Sequence, residues 1–102
     1  MAVNDKYLYV MQCKNYYKFG ISNNLWVRQK EMQIGNPFEI KIVVYFLYKE
    51  RDARYIERAI HNFLKSSKVH GEWFKNNKKV KQYVEHLIFL KEKGDTPKYE
   101  MV

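Results

Sequence analysis

Two short apolar and aromatic runs, Tyr7 to Cys13 and Tyr16 to Ile21, stand on either side of a two-residue break, Lys14-Asn15. Such runs separated by two residues predict a β-hairpin. Alternation along each strand puts Leu8, Val10, Phe19 and Ile21 on one face, and Tyr7, Tyr9, Met11, Lys18 and Gly20 on the other. With Lys14-Asn15 as the turn, Tyr9 falls opposite Gly20 and diagonal to Lys18. One face of the hairpin is greasy; the other has a phenol beside an amine.

A helix from about Asn24 to Ile34 follows, capped by Ser22 or Asn23 and ended by Gly35-Asn36-Pro37. Glu39 to Lys49 predicts a third strand. It is apolar on both faces over Ile42 to Leu47, the pattern of a strand in the middle of a sheet. Arg51 to Leu64 predicts a second helix with the stripe Ala53, Ile56, Ile60, Phe63 and Leu64. Gly71-Glu72-Trp73-Phe74 reads as a loop. A third helix, from about Asn77 to Lys93, turns Val80, Val84, Leu87, Ile88 and Leu90 inward and stops at Gly94. The expected order is β-β-α-β-α-α. Residues 1–94 form one domain in this reading, with 95–102 a flexible tail.

Composition narrows the class. A chain of 102 residues has room for one modest core, and 46% hydrophobic with 17% aromatic residues predicts that it folds. Nineteen Lys and Arg against eleven Asp and Glu leave a formal charge of +8. That excess favours a polyanionic partner, most simply nucleic acid. The single cysteine, Cys13, excludes an intramolecular disulfide framework and points to a reducing compartment. No apolar run spans a bilayer and no signal peptide precedes the first strand, so a cytoplasmic location is expected.

Four polar residues then look out of place in apolar surroundings: Tyr9, Lys18, Arg28 and Glu57. Glu57 lies four residues after Ala53 and three before Ile60, within or at the edge of the buried stripe, with His61 one turn on. A carboxylate there needs a cation or several donors. A structural ion pair with Arg28 or Lys18 is the plain explanation for any single such residue. Arg28, flanked by Leu25 and Met32 at helical spacing, offers a planar fork suited to phosphate. Gly20, opposite Tyr9, leaves room there. Trp73-Phe74 is expected to plug the end of the core rather than stack on a base.

Taken in order, Tyr7-Leu8-Tyr9, Lys18-Phe19-Gly20, Arg28 and Glu57 resemble the GIY-YIG nuclease superfamily. They are most similar to its phage- and bacterial-type branch, in which Glu-x-x-x-His (here Glu57 to His61) is followed by Gly-Glu-Trp-Phe (here Gly71 to Phe74). The resemblance spans roughly Tyr7 to Phe74. It implies an α+β fold with a small three-stranded, mainly antiparallel sheet flanked by helices. It also implies one Mg²⁺ or Mn²⁺ at Glu57 and hydrolysis of DNA phosphodiester bonds. By the same carry-over Tyr9 orients or deprotonates the attacking water, Lys18 occupies the place of the second motif's tyrosine, and Arg28 neutralises the scissile phosphate. The family's asparagine has no clear match: Lys65 to Phe74 holds none, and Asn76 and Asn77 come late. Glu72 or His61 is left to substitute.

Arg54 and Arg58, with Lys75, Lys78, Lys79 and Lys81, fit phosphate contacts that position rather than read sequence. DNA is the expected partner, RNA not being excluded, and a homodimer or partner protein would supply any specificity. The alternative is a nucleic-acid-binding or protein-interaction module on the same fold without catalysis.

Overall fold

The Lys14-Asn15 turn forms, with Lys14 in the left-handed region at φ 51°. It joins β1 (Asp5–Cys13) to β2 (Tyr16–Ser22), and the antiparallel register pairs Tyr9 with Gly20 and Met11 with Lys18. The computed structural model describes residues 3–98; Tyr99 to Val102 of the expected tail lie outside the described residues. Within that tail Pro97 is buried and its carbonyl accepts from the Tyr48 hydroxyl at 2.8 Å.

Three helices complete the chain: α1 (Leu25–Gln33), α2 (Glu50–Phe63) and α3 (Lys78–Glu92). Asn24, rather than Ser22 or Asn23, caps α1: its side chain accepts from the Val27 N–H, while Ser22 Oγ bonds the Asn24 backbone. Asn77 caps α3 in the same way, through the Val80 N–H. Among the described residues no helix is long and apolar enough to cross a membrane.

The fold is α+β, but the sheet has five strands, not three. A short hairpin of β4 (Lys68–His70) and β5 (Trp73–Lys75) lies where a loop was expected, and β5 pairs antiparallel with β2. The order is therefore β-β-α-β-α-β-β-α, with all pairings antiparallel and the sheet ordered β3-β1-β2-β5-β4. Three-residue strands are too short for alternation to show in the sequence.

The third strand, β3 (Ile40–Lys49), is an edge strand and not a central one. Its two apolar faces have another cause: helices cover both sides of the sheet. Val44 and Phe46 join Leu8, Val10 and Phe19 in a core with residues of α2 and α3. Ile40, Ile42 and Tyr45 pack with Tyr9, Met11 and Leu25 of α1 on the opposite side. A register shift between Val10 and Met11, which pair with Val44 and Ile42, lets these two residues of β3, two positions apart, serve opposite faces. In α2 the buried stripe is Ala53, Ile56 and Ile60, continued by the C-cap Leu64, whereas Phe63 is 42% exposed.

Candidate active site

Tyr9 is fully buried by α1, and its ring leans across the strand to Gly20. A Cβ on residue 20 would stand 2.6 Å from the Tyr9 hydroxyl oxygen and 3.0 Å from Glu72 Oε1. The missing side chain is what allows a phenol and a carboxylate to share that spot. Arg28 is exposed, yet its guanidinium comes near enough to the Tyr9 hydroxyl to oppose the rise in its pKa, and it pairs with Glu31 at 3.7 Å. The helix that holds it is fixed by side-chain bonds to β3: Gln29 donates to the Ile40 carbonyl, and Gln33 accepts from the Ile40 N–H. Burial pushes the Tyr9 phenol above the ordinary tyrosine range, opposed first by Arg28.

Lys18 is buried on the same face, and its Nζ donates to Glu72 Oε1 at 2.7 Å. Glu72 reaches it from the β4–β5 turn, where Gly71 takes φ +56°. The backbone of Phe19 fixes two elements at once. Its N–H donates to the Glu72 carbonyl at 3.3 Å, and its carbonyl accepts from His61 Nε2 at 2.8 Å. Because a carbonyl has no proton to give, Nε2 must bear the ring hydrogen, and the lone pair is left on Nδ1. The His61 ring stands edge-on to Phe74, 5.0 Å between centroids, and Phe74 is edge-on to Phe19.

Glu57 and His61 come from one face of α2, and Glu72 meets them from the turn. One ligand atom of each lies within 4.8 Å of the others. They line a cleft of about 470 Å³, rimmed by Arg54, Arg58, Lys68 and Gly71. Neither expected ion pair of Glu57 forms, since Lys18 pairs with Glu72 and Arg28 with Glu31. Burial, and next the charge of Glu72, push the Glu57 carboxyl above the usual carboxylate range. Two half-buried carboxylates held close together, one in no ion pair among the described residues, are a donor set that suits a divalent ion.

Tyr9, Lys18, Arg28, Glu57 and His61 are thus brought together, as are Arg54 and Arg58 at the rim. Lys75, Lys78, Lys79 and Lys81 are exposed on β5 and α3 and do not line the cleft. Glu72 is the residue whose importance the sequence only hinted at, through Gly-Glu-Trp-Phe. Neither late asparagine reaches the cleft. Asn77 Oδ1 caps α3 and its Nδ2 donates to Ser67, while the Asn76 N–H donates to Asn15 at the β1–β2 turn.

Fold and site together define a small α+β domain that holds a polar, cation-rimmed cleft against one hairpin. The chain belongs to the T5orf172 domain family, whose model matches residues 6–88. That membership fits a nuclease-like or DNA-binding role in general terms. No curated protein and no solved structure matches the chain.

Proposed function

We propose that this chain is a metal-dependent endonuclease of the GIY-YIG type that hydrolyses DNA phosphodiester bonds. The observation that supports it best is the convergence of Glu57, His61 and Glu72 in one cleft, with Glu72 reaching Lys18 and the spot beside Gly20 where the Tyr9 hydroxyl lies. Glu57 would hold Mg²⁺ or Mn²⁺, with Glu72 and the Nδ1 of His61 as further donors. A bound divalent cation supplies charge neutralisation at the leaving oxygen and acidifies a coordinated water.

The chain's own groups account for the rest. With Arg28 close by, a lone pair of the Tyr9 oxygen can hold the proton of an attacking water. Because burial keeps the phenol protonated, Tyr9 orients that water rather than acting as a strong base at rest. Arg28 binds the scissile phosphate through its fork. Lys18, held by Glu72, is a phosphate anchor. Glu72 takes the place of the missing asparagine by steadying Lys18 and adding a donor.

Supercoiled plasmid incubated with Mg²⁺ or Mn²⁺ tests the reading. Nicking by the natural protein and its loss in Glu57→Ala support it. Salt-sensitive binding by both proteins without cleavage points instead to a binding module.

A further inference from the structure

A second hollow, of about 360 Å³, opens on the α1 side of the sheet, beyond the end of that helix. Its walls include Tyr16, Phe38 and Trp73, with Lys14, Asn36 and His70 supplying polar groups. Three aromatic rings around a concave space are unusual for mere packing, and their burial argues against it. Tyr16 is 44% and Phe38 45% exposed. Trp73 is only partly covered and belongs to neither core, while its neighbour Phe74 is fully buried. The expectation that this pair plugs the core holds for Phe74 alone.

The hollow and the candidate cleft flank the short β4–β5 hairpin, which gives His70 and Trp73 to the one and Gly71 and Glu72 to the other. Trp73 pairs with Lys18 and Tyr16 with Lys75 across β2 and β5, so Trp73 and Lys18 point to one side of the sheet. Lys18 Nζ lies 5.7 Å from the Trp73 ring centroid and donates to Glu72, so one ammonium stands between the indole and the cleft's carboxylate. On the opposite wall Lys14 Nζ stands 3.6 Å over the Phe38 ring. The lining holds Lys14 and no carboxylate, with Lys18 close behind Trp73, matching a chain of net charge +8. An anionic backbone with flat apolar rings attached fits that combination; an apolar peptide would leave the cations unused. Among the described residues Asn36 Nδ2 has a distant contact to Cys13 Sγ, 4.0 Å, which leaves it able to meet an oxygen on the edge of a ring.

We propose that this hollow receives an unpaired nucleobase of single-stranded nucleic acid, stacked against Trp73 and Phe38, while an adjacent phosphate lies at Lys18. This deepens the nuclease reading, on which it rests for the placing of the phosphate. Paired bases in a duplex present only their edges, so a pocket of rings rewards a base that has left its stack. The substrate would then be a single strand, or the single-stranded part of a branched nucleic acid.

Binding measured in EDTA separates this proposal from cleavage. Fluorescence anisotropy compares an oligo(dT) strand with a duplex of equal length, for the natural chain and for Phe38→Ala and Phe38→Leu. In a Trp26→Phe background the remaining indole is Trp73, whose emission reports stacking directly. The single strand is expected to bind more tightly and to quench Trp73. Phe38→Ala should weaken the single strand by about 5- to 100-fold, Phe38→Leu nearly as much, and the duplex by less than twofold. Preference for the duplex, an unquenched Trp73, or equal loss on both ligands would overturn the proposal, even if plasmid nicking succeeds.

Discussion

The Tyr9 hydroxyl oxygen lies 2.6 Å from where a Cβ on Gly20 would stand, and the ring carbon bearing it 2.8 Å away. Neither atom can retreat, because Tyr9 is buried against Met11, Leu25 and Ile40. Gly20→Ala should therefore destabilise the fold by about 1–3 kcal/mol through overpacking and abolish cleavage by displacing the phenol and Glu72. Chemical denaturation and nicking assays check this. Adding Tyr9→Phe, which removes the closest atom, should restore part of the stability and none of the activity.

Glu57→Gln is expected to stabilise the metal-free protein while eliminating cleavage. Burial and Glu72 raise the Glu57 pKa, so the folded state holds that proton more tightly than the unfolded chain does. The resulting stability is present below the unfolded pKa and is lost as pH rises through the raised folded one. Above it the ionised carboxylate weakens the fold, and Gln removes that charge. A rise in Tm of about 2–5 °C at neutral pH, fading toward acid, is the outcome expected in thermal melts. Cation binding and cleavage should increase over the same pH interval, as Glu57 ionises.

Breaking the Lys18–Glu72 pair should be asymmetric. The Lys18 side chain is 9% exposed and that of Glu72 40%. Glu72→Gln strands a buried ammonium, at a cost of about 1–3 kcal/mol. Lys18→Met leaves a carboxylate that water can reach and costs less. In a double-mutant cycle measured by denaturation, the two losses should sum to more than that of the double variant. Equal single effects would show that the pair is solvent-screened.

Removing rim charge should flatten the salt dependence of DNA binding. Arg54 and Arg58 line the cleft beside Glu57. Their joint replacement by Ala should lower the slope of log K against log salt by up to about 2, whatever the sequence of the DNA. Replacing Lys75, Lys78, Lys79 and Lys81, which lie outside the cleft, should weaken binding while leaving the cleavage rate of bound DNA within about twofold. Titrations at several salt concentrations, with single-turnover rates, separate the two groups.

Much of the local structure is legible in the chain. A two-residue break fixes the hairpin register, so the pairing of Tyr9 with Gly20 follows from counting residues. The helical stripes give α2 and α3 to within a residue or two. The strand count was not legible, because β4 and β5 are three residues each. Nor was the place of β3. Burial on both faces reads the same whether neighbouring strands or covering helices cause it.

Local order, then, was written in alternation, helical spacing and turn chemistry, which act between residues a few positions apart. The partner of Lys18 was not. Glu72 lies 54 residues away, and it arrives only because a short hairpin joins β2 and bonds to the backbone of Phe19. The sequence alone determined which side chains share each face of the hairpin. Tertiary packing decided which of them meet, since contacts between distant segments depend on how strands and helices close on one core.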